Sequence, residues 1–150
     1  MERKRIIGVI GGNEADNNSL EFAYKVGRLI ATSGAILICG GRGGVMEAAC
    51  RGAVDAGGET IGVLPFDDPE TANDYVTIPI PTGIGTARNK IIINTGEAFI
   101  AIAGRYGTLS EIAYALDTGK KVIGYGTWDI EGIITAYTPE QAVKLAMGES

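Results

Sequence analysis

The stretch AGRYGTLSE, residues 103 to 111, sets two glycines, an arginine, a threonine and a glutamate at one junction. It lies between the apolar run AFIAI and the helical-period run IAYALDTG. Two readings fit these residue types. Thr108-x-x-Glu111 has the spacing of a capping box, in which the threonine caps a helix and the glutamate reaches back to the cap's own N–H. The same junction also turns the N–H groups of a helix start toward an anion, with the helix dipole favouring negative charge. Glu111 falls off the stripe formed by Leu109, Ile112, Ala113 and Leu116. It therefore faces solvent or the mouth of a site rather than the core beneath the helix.

Three other stretches share this grammar. CGGRGGVMEAA places Gly40, Gly41, Gly43 and Gly44 where a strand turns into a helix, so that backbone N–H groups can approach a phosphate. It is neither G-x-G-x-x-G nor a Walker A motif, and close packing of a strand–helix turn explains it equally well. IGGN puts Gly11 and Gly12 at the end of the first apolar run. GTARNK puts Arg88 early on a helix that otherwise reads apolar. A cation there needs a partner, either a phosphate or carboxylate gripped in bidentate fashion or a salt bridge at a surface or interface.

The rest of the composition narrows the chemistry. There is no histidine, so general acid–base work falls to Asp, Glu, Lys, Tyr or Cys, and the commonest zinc ligand is missing. Cys39 and Cys50 form neither a disulfide framework nor a metal spacing, and read as buried, reduced thiols. The acidic loop Asp67, Asp68 and Glu70 reads as solvated surface, and neither a metal nor a resident cofactor is expected. A net charge of −5 disfavours non-specific nucleic-acid binding. The 23 glycines stand well above the roughly 7 % of average usage and cluster where strands end. The opening MERKRIIGVIGG imitates a signal peptide, but its apolar run is short and lacks a cleavage pattern, so it reads as a strand. No apolar run approaches the length of about 20 residues that a membrane span needs. A cytoplasmic protein is expected.

These residues must be positioned by alternating strands and helices. Apolar runs at 5–10, 35–39, 60–65, 75–80, 98–103 and 121–126 read as strands. Pro79 and Pro81 should end the fourth. Helical spacing covers 20–33, with Asn18 and Glu21 as a capping box, then 45–56, 84–95 and 108–118. A closing helix starts at Thr138-Pro139. The small-residue stripe Val45, Ala48, Ala49, Gly52, Ala53 and Ala56 should let its helix sit close to a sheet. The 84–95 helix reads as apolar nearly all round, which suits a sandwiched or subunit-interface position. Strands apolar on both faces and alternating with helices predict an α/β fold: three layers, Rossmann-like, with a mostly parallel, doubly wound sheet. Residues 1–150 form one Rossmann-like nucleotide-binding domain in this reading. The four glycine-bearing stretches should then converge beyond the carboxyl ends of the strands.

The order CGGRGGVMEA, an Arg-Asn-Lys helix, then AGRYGTLSE resembles the LOG ("Lonely Guy") family, long labelled lysine-decarboxylase-like, over roughly residues 5 to 125. A short branch of that superfamily is closer still, and molybdenum-cofactor carrier proteins are related to it. The resemblance implies a homodimer or a dimer of dimers. It also implies a phosphoribohydrolase that splits nucleoside 5′-monophosphates into base and ribose 5-phosphate. Arg88 and Glu111 match its catalytic pair. Gly104, Gly107 and Thr108 match its phosphate-binding turn, and Gly40, Gly41, Gly43 and Gly44 its first glycine-rich turn. The chain departs from the signature PGGxGTxxE at Ala103 and Arg105, has Asn89 where the family has lysine, and Ser110 where many members have an acid. The carrier relatives supply the alternative, a nucleotide or phosphorylated-cofactor binding protein without catalysis. In either case the partner is a small phosphorylated ligand, with no nucleic acid and no membrane.

Overall fold

A computed structural model describes residues 1–149. Seven strands form one all-parallel sheet: β1 (Ile6–Gly11), β2 (Ile36–Cys39), β3 (Thr60–Leu64), β4 (Ile78–Pro81), β5 (Ala98–Ile102), β6 (Lys121–Tyr125) and β7 (Ile134–Thr135). Their spatial order is β4-β3-β2-β1-β5-β6-β7. The five helices are α1 (Asn17–Thr32), α2 (Val45–Asp55), α3 (Asn89–Thr95), α4 (Tyr106–Asp117) and α5 (Pro139–Ala146).

The strands bury both faces, which is why they read as continuous apolar runs rather than alternating ones. On one face Ile7, Val9, Leu37, Cys39, Ile100 and Ile102 pack with residues of α1, α2 and α5. On the other, Ile10, Ile38, Val63, Phe99 and Ala101 meet Ile92 and Ile93 of α3 and Ile112 and Ala115 of α4. The result is the three-layer, doubly wound arrangement expected from the pattern. Winding reverses between β1 and β5, which are direct neighbours. The crevice outside their carboxyl ends, Gly11 and Ile102, is where such sheets bind ligands.

Several local expectations give way to tertiary context. Asp16, not Asn18, caps α1, accepting from the Ser19 N–H at 2.8 Å. Pro79 and Pro81 lie inside β4 rather than after it. β4 is the outer strand of the sheet, all four of its residues are exposed, and an edge does not need every N–H. The 84–95 stretch is not one helix. A 3-10 turn at Gly85–Arg88 precedes α3, which buries Ile92 and Ile93 and leaves Ile84 and Ile91 exposed. The small-residue face of α2 serves chiefly to approach α1: a Cβ at Gly27 would stand 1.9 Å from the Ala49 carbonyl, and one at Gly52 the same distance from that of Tyr24. The Thr138-Pro139 start of α5 forms as read, with Thr138 accepting from the Gln141 N–H. In the acidic loop, Asp68 caps a short 3-10 turn at Pro69–Thr71.

Candidate functional site

The four glycine-bearing stretches meet at the switch point. A Cβ on Gly12 would lie 3.7 Å from the Gly104 Cα, and one on Gly44 would strike the Gly12 carbonyl at 2.3 Å. Asn13 accepts from the Gly43 N–H at 3.3 Å. Gly40 has the Arg88 guanidinium above it, 2.9 Å from where its Cβ would be. Residues separated by up to some ninety positions thus line one small concavity.

The glycines play different parts there. Gly11, Gly41 and Gly44 are packing glycines: a Cβ would collide with Val45, with Leu64 or with the Gly12–Asn13 backbone. Gly41 and Gly44 also hold φ of +75° and +62°. Gly104, at φ +95°, covers Thr108, whose Oγ1 would be 2.2 Å from an added Cβ. Gly43 and Gly107 have space above them.

The AGRYGTLSE junction is not a capping box. α4 begins at Tyr106, two residues earlier than the Thr108 cap requires, with Arg105 as a cap that contributes no side-chain hydrogen bond. Thr108 sits inside the first turn and is buried under Gly104. The face buried by α4 runs through Thr108, Ile112 and Ala115, so Ala113 of the expected stripe is exposed. Arg105 also has room, since its φ of −120° is open to any L-residue and its side chain is exposed.

Ala103 has the one positive φ among described non-glycine residues, +52°. A proline, fixed near −65°, cannot adopt it, so alanine in place of the signature proline and the left-handed turn go together. Left-handed backbone costs an alanine roughly 1–2 kcal/mol. Ala103→Gly should therefore raise stability, by a few tenths to about 1 kcal/mol once the extra freedom of the unfolded glycine is subtracted. Chemical denaturation would show this as a higher midpoint at unchanged slope.

Arg88 and Glu111 approach the concavity from two helices. The Arg88 Nε donates to the Val63 carbonyl at 2.9 Å, and Nη1 donates to the Asn89 side chain. Burial lowers the pKa of Arg88, and the nearby Glu111 opposes that shift. Glu111 lines a cavity of about 220 Å³ between the 3-10 turn and α4, together with Thr86, Ala87, Asn89, Lys90 and Ser110. Burial pushes its carboxyl up to about 7, against the pull of Arg88. No ion pair joins the two among the described residues. A cation and a carboxyl raised toward neutral pH thus lie within electrostatic reach of each other, with the cation standing over the Gly40 turn. Cys39 and Cys50 are buried free thiols with sulfurs 3.5 Å apart, directly beneath the Gly40 turn.

The anchors of the turns were not anticipated. Asn73 donates to the Arg42 carbonyl, Thr127 to that of Ala103 and Trp128 to that of Arg105. All three lie in loops, where periodicity carries no signal.

The family model described as the SLOG cluster4 family matches residues 4–149. The chain belongs to this family. It is similar to the molybdenum cofactor binding protein from the phototrophic bacterium Rippkaea orientalis, at 39 % identity and TM-score 0.92, covering 99 % of this chain and 98 % of that one. It is likewise similar to the molybdenum cofactor carrier protein of Chlamydomonas reinhardtii, at 38 % identity and TM-score 0.87, covering 97 % and 98 %. A cytokinin riboside 5′-monophosphate phosphoribohydrolase of Rhodococcoides fascians is 35 % identical over 95 residues, which is 61 % of this chain and 48 % of that protein. The chain thus matches only about half of that enzyme. The LOG-like resemblance holds, and the SLOG chain shares its fold with carriers along its whole length. No helix among its described residues is long and apolar enough to cross a membrane.

Proposed function

We propose that the concavity outside β1 and β5 holds a small phosphorylated ligand bearing a ring system, of the molybdenum-cofactor or nucleotide class, and that the chain carries this ligand without cleaving it. Gly107 carries the reading. It lies in the first turn of α4, is exposed, and has no positive φ. A Cβ there would meet nothing within 4 Å. Alanine is the better helix former by up to about 1 kcal/mol, so the protein itself gains nothing from glycine at this place. The open space suits a phosphate resting on the first-turn amides of α4, with Gly40, Gly43 and Gly104 around it and Arg88 supplying the charge.

Near full-length likeness to two proteins named for molybdenum cofactor supports carriage over cleavage. So does the number of signature positions, Ala103, Arg105, Asn89 and Ser110, at which the chain departs from the hydrolase pattern. Gly107→Ala should keep the fold and raise its melting temperature slightly, by the helix preference of alanine, while weakening the binding of a phosphorylated ligand roughly tenfold, as a methyl group in a close-packed anion site does. Calorimetric titration with molybdopterin and with AMP would measure it. Equal affinity in the variant would remove the cradle assignment.

Hydrolysis is the second reading, and Glu111 favours it. With a carboxyl near 7, it can hand a proton to the departing base. In that mechanism water attacks the anomeric carbon, the C–N bond breaks with its electron pair going to the base nitrogen, and Glu111 supplies the proton. The carboxylate then takes one back from the attacking water. Incubation with nucleoside 5′-monophosphates separates the readings: a carrier returns the nucleotide intact, and a phosphoribohydrolase releases free base. Self-association through the face bearing Ile84 and Ile91, and a cytoplasmic location, belong to both readings.

A further inference from the structure

The two glycine-rich turns are each fastened from outside by a remote loop, and the fastening falls on carbonyls. In the first turn, the Asn73 N–H donates to the Gly41 carbonyl at 2.9 Å, and its side-chain amide donates to the Arg42 carbonyl at 2.8 Å. In the second, the Thr127 hydroxyl donates to the Ala103 carbonyl at 2.6 Å, and the Trp128 indole N–H donates to the Arg105 carbonyl at 2.9 Å. The donors come from 32 and 31 residues away in sequence for Gly41 and Arg42, and from 24 and 23 for Ala103 and Arg105.

In a planar trans peptide the C=O of one residue points opposite to the N–H of the next, and the described chain has no cis peptide. Holding the Gly41 and Arg42 carbonyls outward therefore turns the Arg42 and Gly43 N–H groups inward. Holding those of Ala103 and Arg105 outward does the same for the Gly104 and Tyr106 N–H groups. The Gly43 N–H meets the Asn13 side chain. Those of Arg42 and Gly104 have no partner among the described hydrogen bonds. A carbonyl facing an anion would repel it, so an anion cradle needs its carbonyls removed as much as its amides presented.

We propose that Asn73, Thr127 and Trp128 are positioning residues for anion binding: they withdraw the carbonyls of both glycine-rich turns and so set the direction of the cradle amides. The Asn73 side chain is itself fixed, since its Oδ1 accepts from the Tyr75 N–H at 2.9 Å. Trp128 is steadied by the Tyr106 ring, with centroids 5.9 Å apart. The turn they hold at Ala103 is the one with strained backbone, where an external fastening is most needed.

This inference rests on the ligand reading above, and the test separates the two. Trp128→Phe keeps an aromatic ring against Tyr106 and removes the indole donor together with some packing volume, the latter read by the thermal melt. Thr127→Val keeps the shape and removes only the hydroxyl. Asn73→Asp keeps the acceptor for Tyr75 and removes the donor to Arg42, and because it also adds a negative charge it is read by the amide shifts at Arg42 and Gly43 as well as by affinity. Each would be titrated with inorganic phosphate and with AMP, following amide resonances by NMR, beside a thermal melt. The expected result is a roughly three- to tenfold loss of affinity in each variant, the size of one neutral hydrogen bond. It should come with altered amide shifts at Arg42 and Gly43 or at Gly104 and Tyr106. A double variant of Thr127 and Asn73 should lose both increments. Variants that bind as the unsubstituted chain does overturn the inference while leaving the ligand reading intact. Failure of the unsubstituted chain to bind either probe overturns the ligand reading, and this inference with it. Because the three residues lie in two separate loops, misfolding of one variant leaves the others to decide.

Discussion

Replacing Arg88 by methionine should weaken the binding of phosphorylated ligands about 100-fold and leave the chain folded with a much smaller change in stability. The two effects have one cause. The guanidinium is half-buried, stands over Gly40, and is tied by Nε to the Val63 carbonyl and by Nη1 to Asn89. Burial lowers its pKa, so the charged form is held at a cost that no ion pair among the described residues offsets. Methionine fills a similar volume without that cost, and the loss of the hydrogen bond to the Val63 carbonyl, on the order of 1 kcal/mol, offsets the gain. An anionic ligand, in contrast, loses a charge-assisted contact worth roughly 2–3 kcal/mol, which is one to two orders of magnitude in affinity. Titration calorimetry together with a thermal melt would read both. A variant that loses stability but binds normally would assign Arg88 to the scaffold instead of the site.

The second large effect is a dependence on pH, carried by Glu111. Its carboxyl is raised from the ordinary 4.5 to about 7 by burial. Between those values the folded chain keeps a proton that the unfolded chain has released, so the folded state binds more protons. Stability from this group is therefore fully present below about pH 4.5 and is lost as pH rises through 7, by at most about 3 kcal/mol. This is the reverse of the common case of a carboxylate stabilised as an anion. Glu111→Gln, which imitates the protonated form, should lose that part of the pH dependence and exceed the unsubstituted chain in stability at pH 8. Melting temperatures of both proteins from pH 4.5 to 8 test it, and parallel curves would sink the idea. A bound phosphate, by adding negative charge nearby, should raise the Glu111 carboxyl further. Ligand affinity should accordingly fall as Glu111 ionises.

Much of the architecture was legible in the residues because it depends on local periodicity. Continuous apolar runs such as IIGVIG and AFIAI have to be buried on both faces, and helical spacing between them leaves a parallel, doubly wound sheet as the consistent packing. That topology in turn brings the ends of β1, β2, β3 and β5 to one edge, so the meeting of the Gly12, Gly40 and Gly104 turns followed from order along the chain. Motif residues could be singled out from the chain alone for a different reason: Arg88, Gly107 and Glu111 are types whose chemistry does not depend on knowing their neighbours.

What the tertiary structure decided are the features in which a distant group competes with a local preference. Thr108-x-x-Glu111 satisfies the local rule for a cap, yet Thr108 is worth more as filling beneath Gly104, and α4 starts at Tyr106. The apolar stretch around residue 88 splits because Arg88 turns back to the Val63 carbonyl. The small residues of α2 fit the backbone of α1 at Gly27 and Gly52, a contact invisible to the period of either helix. Glu111 acquires its raised pKa only from the enclosure made by a separate helix turn. Asn73, Thr127 and Trp128 belong to loops whose residues follow no period, and their hydrogen bonds reach across 23 to 32 positions to carbonyls that every residue type possesses. Sequence patterns record which side chains prefer water; the direction in which a peptide group points is settled only when the whole chain has closed around it.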